Sequence, residues 1–63
     1  MPIVHISMLK GRTIDQKRAL VRKVTEAICE TVGAPPDAVS IVIEEMEREH
    51  YAKAGVLHVD QKK

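Results

Sequence analysis

Between Ile3 and Leu9 the chain alternates. Val4, Ile6 and Met8 fill the even positions with apolar side chains, while Ile3, His5, Ser7 and Leu9 make a mixed odd set. A period of two among β-branched residues predicts a strand whose even face is fully buried. The odd face carries aliphatic side chains beside a histidine and a serine, so it too is expected to meet protein. His5, on that face, reads as an interface or structural histidine. Lys10-Gly11-Arg12 forms a turn, and the period then changes. Thr13-Ile14-Asp15-Gln16 fits a capping box, with Thr13 as N-cap and Gln16 reaching back to it. Asp15 puts negative charge in the first turn, where the helix dipole favours it. A helix is predicted from Ile14 to Val32, with Leu20, Val24, Ala27, Ile28 and Thr31 on one stripe and Val21 and Val32 at its edge. Arg18, Arg22, Lys23, Glu26 and Glu30 fall mostly off that stripe and read as a solvated face. Gly33 supplies a left-handed stop, and Pro35-Pro36 prevent the helix from resuming.

Asp37-Ala38 make a short turn before a second strand, Ser40 to Met46, with Ile41 and Ile43 on one face and Val42 on the other. Glu44 and Glu45 close it. The intervening helix is long enough to carry the chain back, so the two strands are expected to be parallel with a right-handed crossover. Glu47-Arg48-Glu49 reads as a loop, and His50 after it as structural. Val56, Leu57 and Val59 suggest a short final strand or hairpin, and Gln61-Lys62-Lys63 a loose tail. The predicted fold class is therefore α/β (α+β), one βαβ domain over residues 1–63. One helix covers one face of such a sheet and leaves the other face and both edges open. Ile3, Leu9 and Val42 on the open face must meet another subunit, which predicts a symmetric assembly.

Composition sharpens that expectation. A chain of 63 residues buries only about 60% of its unfolded surface and needs a staple. A single cysteine, Cys29, excludes an internal disulfide. His5, His50 and His58 lack ligand spacing, so no metal is expected. Oligomerisation is left, and an apolar content of 44% is more than so small an interior can hide. A net charge of +1 with mixed signs argues against nucleic acid and against electrostatic attachment to a membrane. The apolar runs are too short to span a bilayer, and the start has no signal-peptide pattern. A lone cysteine in such a chain points to the cytoplasm. Cys29 itself reads as a packing residue rather than a nucleophile.

One stretch offers chemistry. If Met1 is removed, Pro2 becomes the terminus and carries a free secondary amine in place of an amide. Small second residues such as proline permit that removal. The strand behind it would hold this base on a rigid element. A model α-amino group titrates at about 7.7–8.0; burial in an apolar pocket or a nearby cation would lower the value and keep the amine neutral. Taken alone, a proline after the initiator is ordinary, and the remaining residues have to carry the reading.

Pro2-Ile3-Val4, Leu9-Lys10-Gly11-Arg12-Thr13, Gln16-Lys17, Glu44-Glu45-Met46 and His50-Tyr51, in that order and without gaps, resemble the 4-oxalocrotonate tautomerase family. The resemblance implies a βαβ subunit, a dimer with a four-stranded sheet backed by two helices, and a hexamer built as a trimer of dimers. It implies no cofactor, and tautomerisation of a dienol such as 2-hydroxymuconate to the conjugated keto acid. By the same resemblance Pro2 is the general base, Arg12 binds a substrate carboxylate, and Tyr51 is the aromatic wall where the best-known members have phenylalanine. Leu9 is a further candidate substrate contact, and in such a site Ile3, Leu9 and Tyr51 with the Arg12 cation are the groups that would depress the amine's pKa.

One position departs from the family. A second arginine there polarises the substrate's oxygens, and its place is taken by Ser40. A charge-assisted hydrogen bond contributes about 1.5–3 kcal/mol, so the family reaction would be slowed or the substrate altered. Arg48, Lys53 or a neighbour's helix arginine are alternative sources of the charge. Three readings stay open: a tautomerase of small dienol acids; the same pocket acting on another acid, by phenylenolpyruvate-type ketonisation or by dehalogenase- or decarboxylase-like chemistry; and a non-catalytic oligomeric binding module.

Overall fold

The computed structural model describes residues 1–61. Strand β1, Ile3–Leu9, is followed by helix α1, Ile14–Val32, and strand β2, Ser40–Met46. β1 and β2 pair in parallel from Ile3–Ser40 through Leu9–Met46. The strand-helix-strand unit is thus as expected, and so is its local chemistry. The Thr13 hydroxyl accepts from the Gln16 amide at 3.1 Å, and the Gln16 side chain accepts from the Thr13 amide at 2.8 Å. Gly33 ends α1 at φ 74°, in the left-handed region, and donates to the Cys29 carbonyl. A single 3-10 turn over Pro36–Ala38 then leads into β2.

Packing departs from expectation in three places. The even face of β1 is half-buried rather than fully buried, and no described residue is fully buried. The covered stripe of α1 runs through Leu20, Val21, Val24, Ile28 and Cys29, whereas Ala27 and Thr31 are exposed. The helix is rotated toward its Val21–Cys29 edge, and the Thr31 hydroxyl turns back to the Ala27 carbonyl at 2.7 Å. The chain end also differs. Arg48–His50 is a 3-10 turn rather than a plain loop; beyond it the expected short hairpin is present, with β3, Ala52–Lys53, paired antiparallel with β4, Val56–Leu57.

Ala54 and Gly55 join β3 to β4 with φ of 53° and 79°. Positive φ at both central residues is the type I′ geometry whose twist suits a two-residue hairpin. Val59 lies outside the hairpin, in a 3-10 turn over His58–Asp60. Gln61 is tied down, its side chain donating to the Val56 carbonyl at 3.2 Å. The rest of the expected tail, Lys62-Lys63, lies outside the described residues.

The subunit does not close on itself. A compact chain of this length would have a radius of gyration of about 11 Å; the observed value is 14.9 Å. It exposes 5192 Å², against about 4,000 Å² for a compact protein of its mass. On the uncovered sheet face Ile3 is 58% and Val42 46% exposed. No helix among the described residues is long and apolar enough to cross a membrane.

The capping box makes a measurable prediction. Thr13→Ala removes one hydrogen bond and is expected to lower stability by about 1 kcal/mol, read as a lower midpoint in urea unfolding at fixed protein concentration. An unchanged midpoint would show that the cap contributes nothing.

Candidate active site

The parallel pairing decides where each candidate residue stands. Pro2 and Ser40 lie together at the N-terminal ends of the two strands. The Ser40 amide donates to the Pro2 carbonyl at 3.0 Å, one hydrogen bond beyond the strand itself. Pro2 is half-buried, whereas Met1 ahead of it is 85% exposed. Loss of Met1 would therefore disturb no packing, while the position of Pro2 is fixed by backbone contact.

Leu9, Arg12 and Tyr51 lie at the opposite end. Leu9 and Tyr51 share a cavity of about 250 Å³ with Ser7, Met8 and Met46. Tyr51 is brought there by the chain end. The His58 amide donates to the Tyr51 carbonyl at 2.8 Å, and the two rings sit 6.1 Å apart at a 54° tilt. Arg12 is exposed and lines a second cavity of about 240 Å³ with Met8, Gln16, Lys17 and Leu20. Met8 lines both cavities, so both lie at this end of β1.

The two groups do not meet within one chain. Seven residues of parallel strand separate Pro2 from Leu9, about 23 Å at roughly 3.3 Å per residue. Arg48 and Lys53, the alternative sources of charge, also follow the far end of β2. His5 is exposed on the open sheet face opposite Val42, and His50 ends its 3-10 turn with its amide donating to the Glu47 carbonyl at 2.9 Å.

Charges near Arg12 are mostly paired. Lys10 Nζ is 2.9 Å from Glu47, and this hydrogen bond, with the carboxylate's charge, raises the lysine pKa above its ordinary value. Lys17 Nζ is 2.9 Å from Glu45, and Arg18 is 2.9 Å from Asp15. Arg12 has no ion-pair partner among the described residues. Its planar fork, at the start of a helix, suits a carboxylate. No group of three or more His, Cys, Asp or Glu among the described residues is arranged to hold a metal ion.

Reasoning from sequence missed the Lys17–Glu45 pair and the part played by Met8. A signal for the pair was present. Glu45 follows Ile41 and Ile43 at a spacing of two, so it stands on the helix-covered side of β2, where a carboxylate requires a cation.

The family model described as Tautomerase enzyme matches residues 2–61. The chain is 56% identical over 55 residues to the 2-hydroxymuconate tautomerase of Bacillus subtilis, covering 87% of this chain and 89% of the relative. A crystallised homologue of 4-oxalocrotonate tautomerase superposes with a TM-score of 0.93 at 51% identity, over 97% of this chain and all of the other. A heterohexameric 4-oxalocrotonate tautomerase from Chloroflexus aurantiacus superposes with a TM-score of 0.92 at 27% identity, over 98% of this chain and all of the other. With the fold, the full-length match and the ordered residues in agreement, the chain belongs to the 4-oxalocrotonate tautomerase family of isomerases.

Proposed function

We propose that the mature protein is a cofactor-independent tautomerase of small enol and dienol acids, with Pro2 as the proton-transferring base. Anchorage of Pro2 carries the reading: its carbonyl is held by the Ser40 amide at 3.0 Å, while the residue that would block its nitrogen protrudes into solvent. Removal of Met1 then exposes a secondary amine at a defined place. That amine takes the proton of the substrate's enol hydroxyl. The enol carbon–oxygen bond becomes a carbonyl, the double bonds shift along the chain, and the same proton is delivered to a distal carbon. The product is the conjugated keto acid, and nothing is oxidised or reduced. Arg12 holds a substrate carboxylate through its fork. Leu9 and Tyr51 wall the site and exclude water, which strengthens the ionic contacts inside.

Pro2 and Arg12 are about 20 Å apart along one chain, so a complete site takes these residues from different copies. The exposed Ile3 and Val42 supply an apolar surface for association, and a hexamer built as a trimer of dimers is the assembly proposed. A protein that belongs to an isomerase family leaves little ground for a purely non-catalytic binding module.

The named substrate of the Bacillus subtilis relative makes 2-hydroxymuconate the first choice. Ser40 favours a second choice. It brings no charge to the Pro2 end, so a monocarboxylate such as phenylenolpyruvate loses less there than a dicarboxylate does.

Pro2→Ala keeps a terminal amine but makes it primary and moves it; kcat is expected to fall at least about a hundredfold, the lower range for a positioned acid–base group. An unchanged kcat would remove Pro2 from the mechanism. Because the amine works only when neutral, activity is expected to fall as pH drops through its pKa. Ser40→Arg is expected to raise kcat/KM for 2-hydroxymuconate about tenfold; no gain would mean that another cation already acts at that place. Light scattering at micromolar concentration is expected to give a multiple of the subunit mass, and a monomer mass would remove the composite site.

A further inference from the structure

Lys17 and Glu45 have no part in the proton transfer, yet Lys17 lines the same cavity as Arg12. Its ammonium lies 2.9 Å from the Glu45 carboxylate, with the two side chains 24% and 32% exposed. Glu45 occupies an unexpected place. Val4 pairs with Ile41, Ile6 with Ile43 and Met8 with Glu45, so the carboxylate continues a row that is otherwise aliphatic and lies beneath α1. A carboxylate there costs desolvation unless a cation meets it, and Lys17 in the first turns of α1 is that cation.

The pair also sets the charge of the cavity. Arg12 and Lys17 together would present two cations to anything bound there, and Glu45 cancels one. We infer that Glu45 is a specificity-determining residue: by neutralising Lys17 it leaves Arg12 as the uncompensated cation of the cavity and tunes the site to one carboxylate there rather than to additional negative charge. This rests on the reading that the Arg12 cavity receives a substrate carboxylate, and it adds two residues which that reading does not use. Partly screened charges a few ångströms apart change binding by about threefold to tenfold.

A simple clamp between α1 and β2 behaves differently. Loss of either partner would break it, and both losses would act alike on every substrate. A charge-setting pair gives effects of opposite sign. The test is steady-state kinetics of the full-length, N-terminally processed protein with 2-hydroxymuconate, a dicarboxylate, and phenylenolpyruvate, a monocarboxylate. Each ratio of the two kcat/KM values is taken on one sample, so it is independent of the fraction of protein that is active.

Glu45→Gln frees the Lys17 ammonium, and the dicarboxylate-to-monocarboxylate ratio is expected to rise about threefold to tenfold. Lys17→Gln leaves the Glu45 carboxylate without its cation next to a lining position of the cavity, and the ratio is expected to fall by a similar factor. The double variant is expected between the two. Shifts of the same sign in both single variants, or no shift in either, overturn the inference. If Glu45→Gln does not fold, Lys17→Gln decides alone: a fall supports the inference, and a rise or no change overturns it. Arg12→Ala separates the two levels. If it raises KM for both acids while the opposed shifts are absent, only the role of Glu45 falls. If it leaves KM unchanged, the carboxylate reading of the cavity falls and the role of Glu45 falls with it.

Discussion

One helix cannot cover both faces of a two-stranded sheet. This limit governs the molecule more than any single contact does. α1 lies over Val4, Ile6, Met8, Ile41 and Ile43, and even these are only half-buried. The opposite face presents Ile3 and Val42 to solvent. Apolar surface left in water is the main force for association, and a chain this short has no second layer of its own to add. The open face that limits the chain's own stability is therefore also the surface available for association. In the proposed assembly, that surface is where further copies bring Arg12 toward Pro2.

Much of the fold is legible in the residues, because its signals are local. Alternation from Ile3 to Leu9, the Thr13–Gln16 box and Gly33 each act over a few positions, and each is found where expected. The errors arise where a longer-range choice decides. Ala27 and Thr31 satisfy a helical period as well as Val21 and Cys29 do; only the docking of α1 on the sheet selects between the two sets. The hairpin at Ala54-Gly55 was hard to place because its first turn residue is alanine. The left-handed region disfavours alanine by roughly 1–2 kcal/mol, whereas the strong hairpin signal is asparagine or aspartate before glycine. The pairing of β3 with β4 imposes the conformation despite that preference.

The candidate site divides in the same way. Pro2 is marked by the chemistry a terminal amine would have, whereas Arg12 is singled out by the family resemblance and not by its place between a turn and a helix. The meeting of Leu9 with Tyr51 depends on the chain end folding back, through the His58–Tyr51 backbone contact, and nothing in the residues between Met46 and Tyr51 announces it. The gap of about 20 Å between Pro2 and Arg12 follows from strand length; how the proposed assembly closes it does not. Glu45 is the opposite case, a residue whose spacing from Ile41 and Ile43 marked it while its charge made it look like a strand end.

The backbone bond between Ser40 and Pro2 has a consequence for how such a protein can change. Main-chain atoms at position 40 fasten Pro2 in place, whereas the side chain at the same position is exposed and bears no part of that fastening. Mutation there can exchange a hydroxyl for a guanidinium or an aliphatic group without loosening the nitrogen it adjoins. Under the proposed mechanism, anchor and selector are thus two separable properties of one codon, and a lineage can try new molecules at this mouth while its reactive group stays where it was.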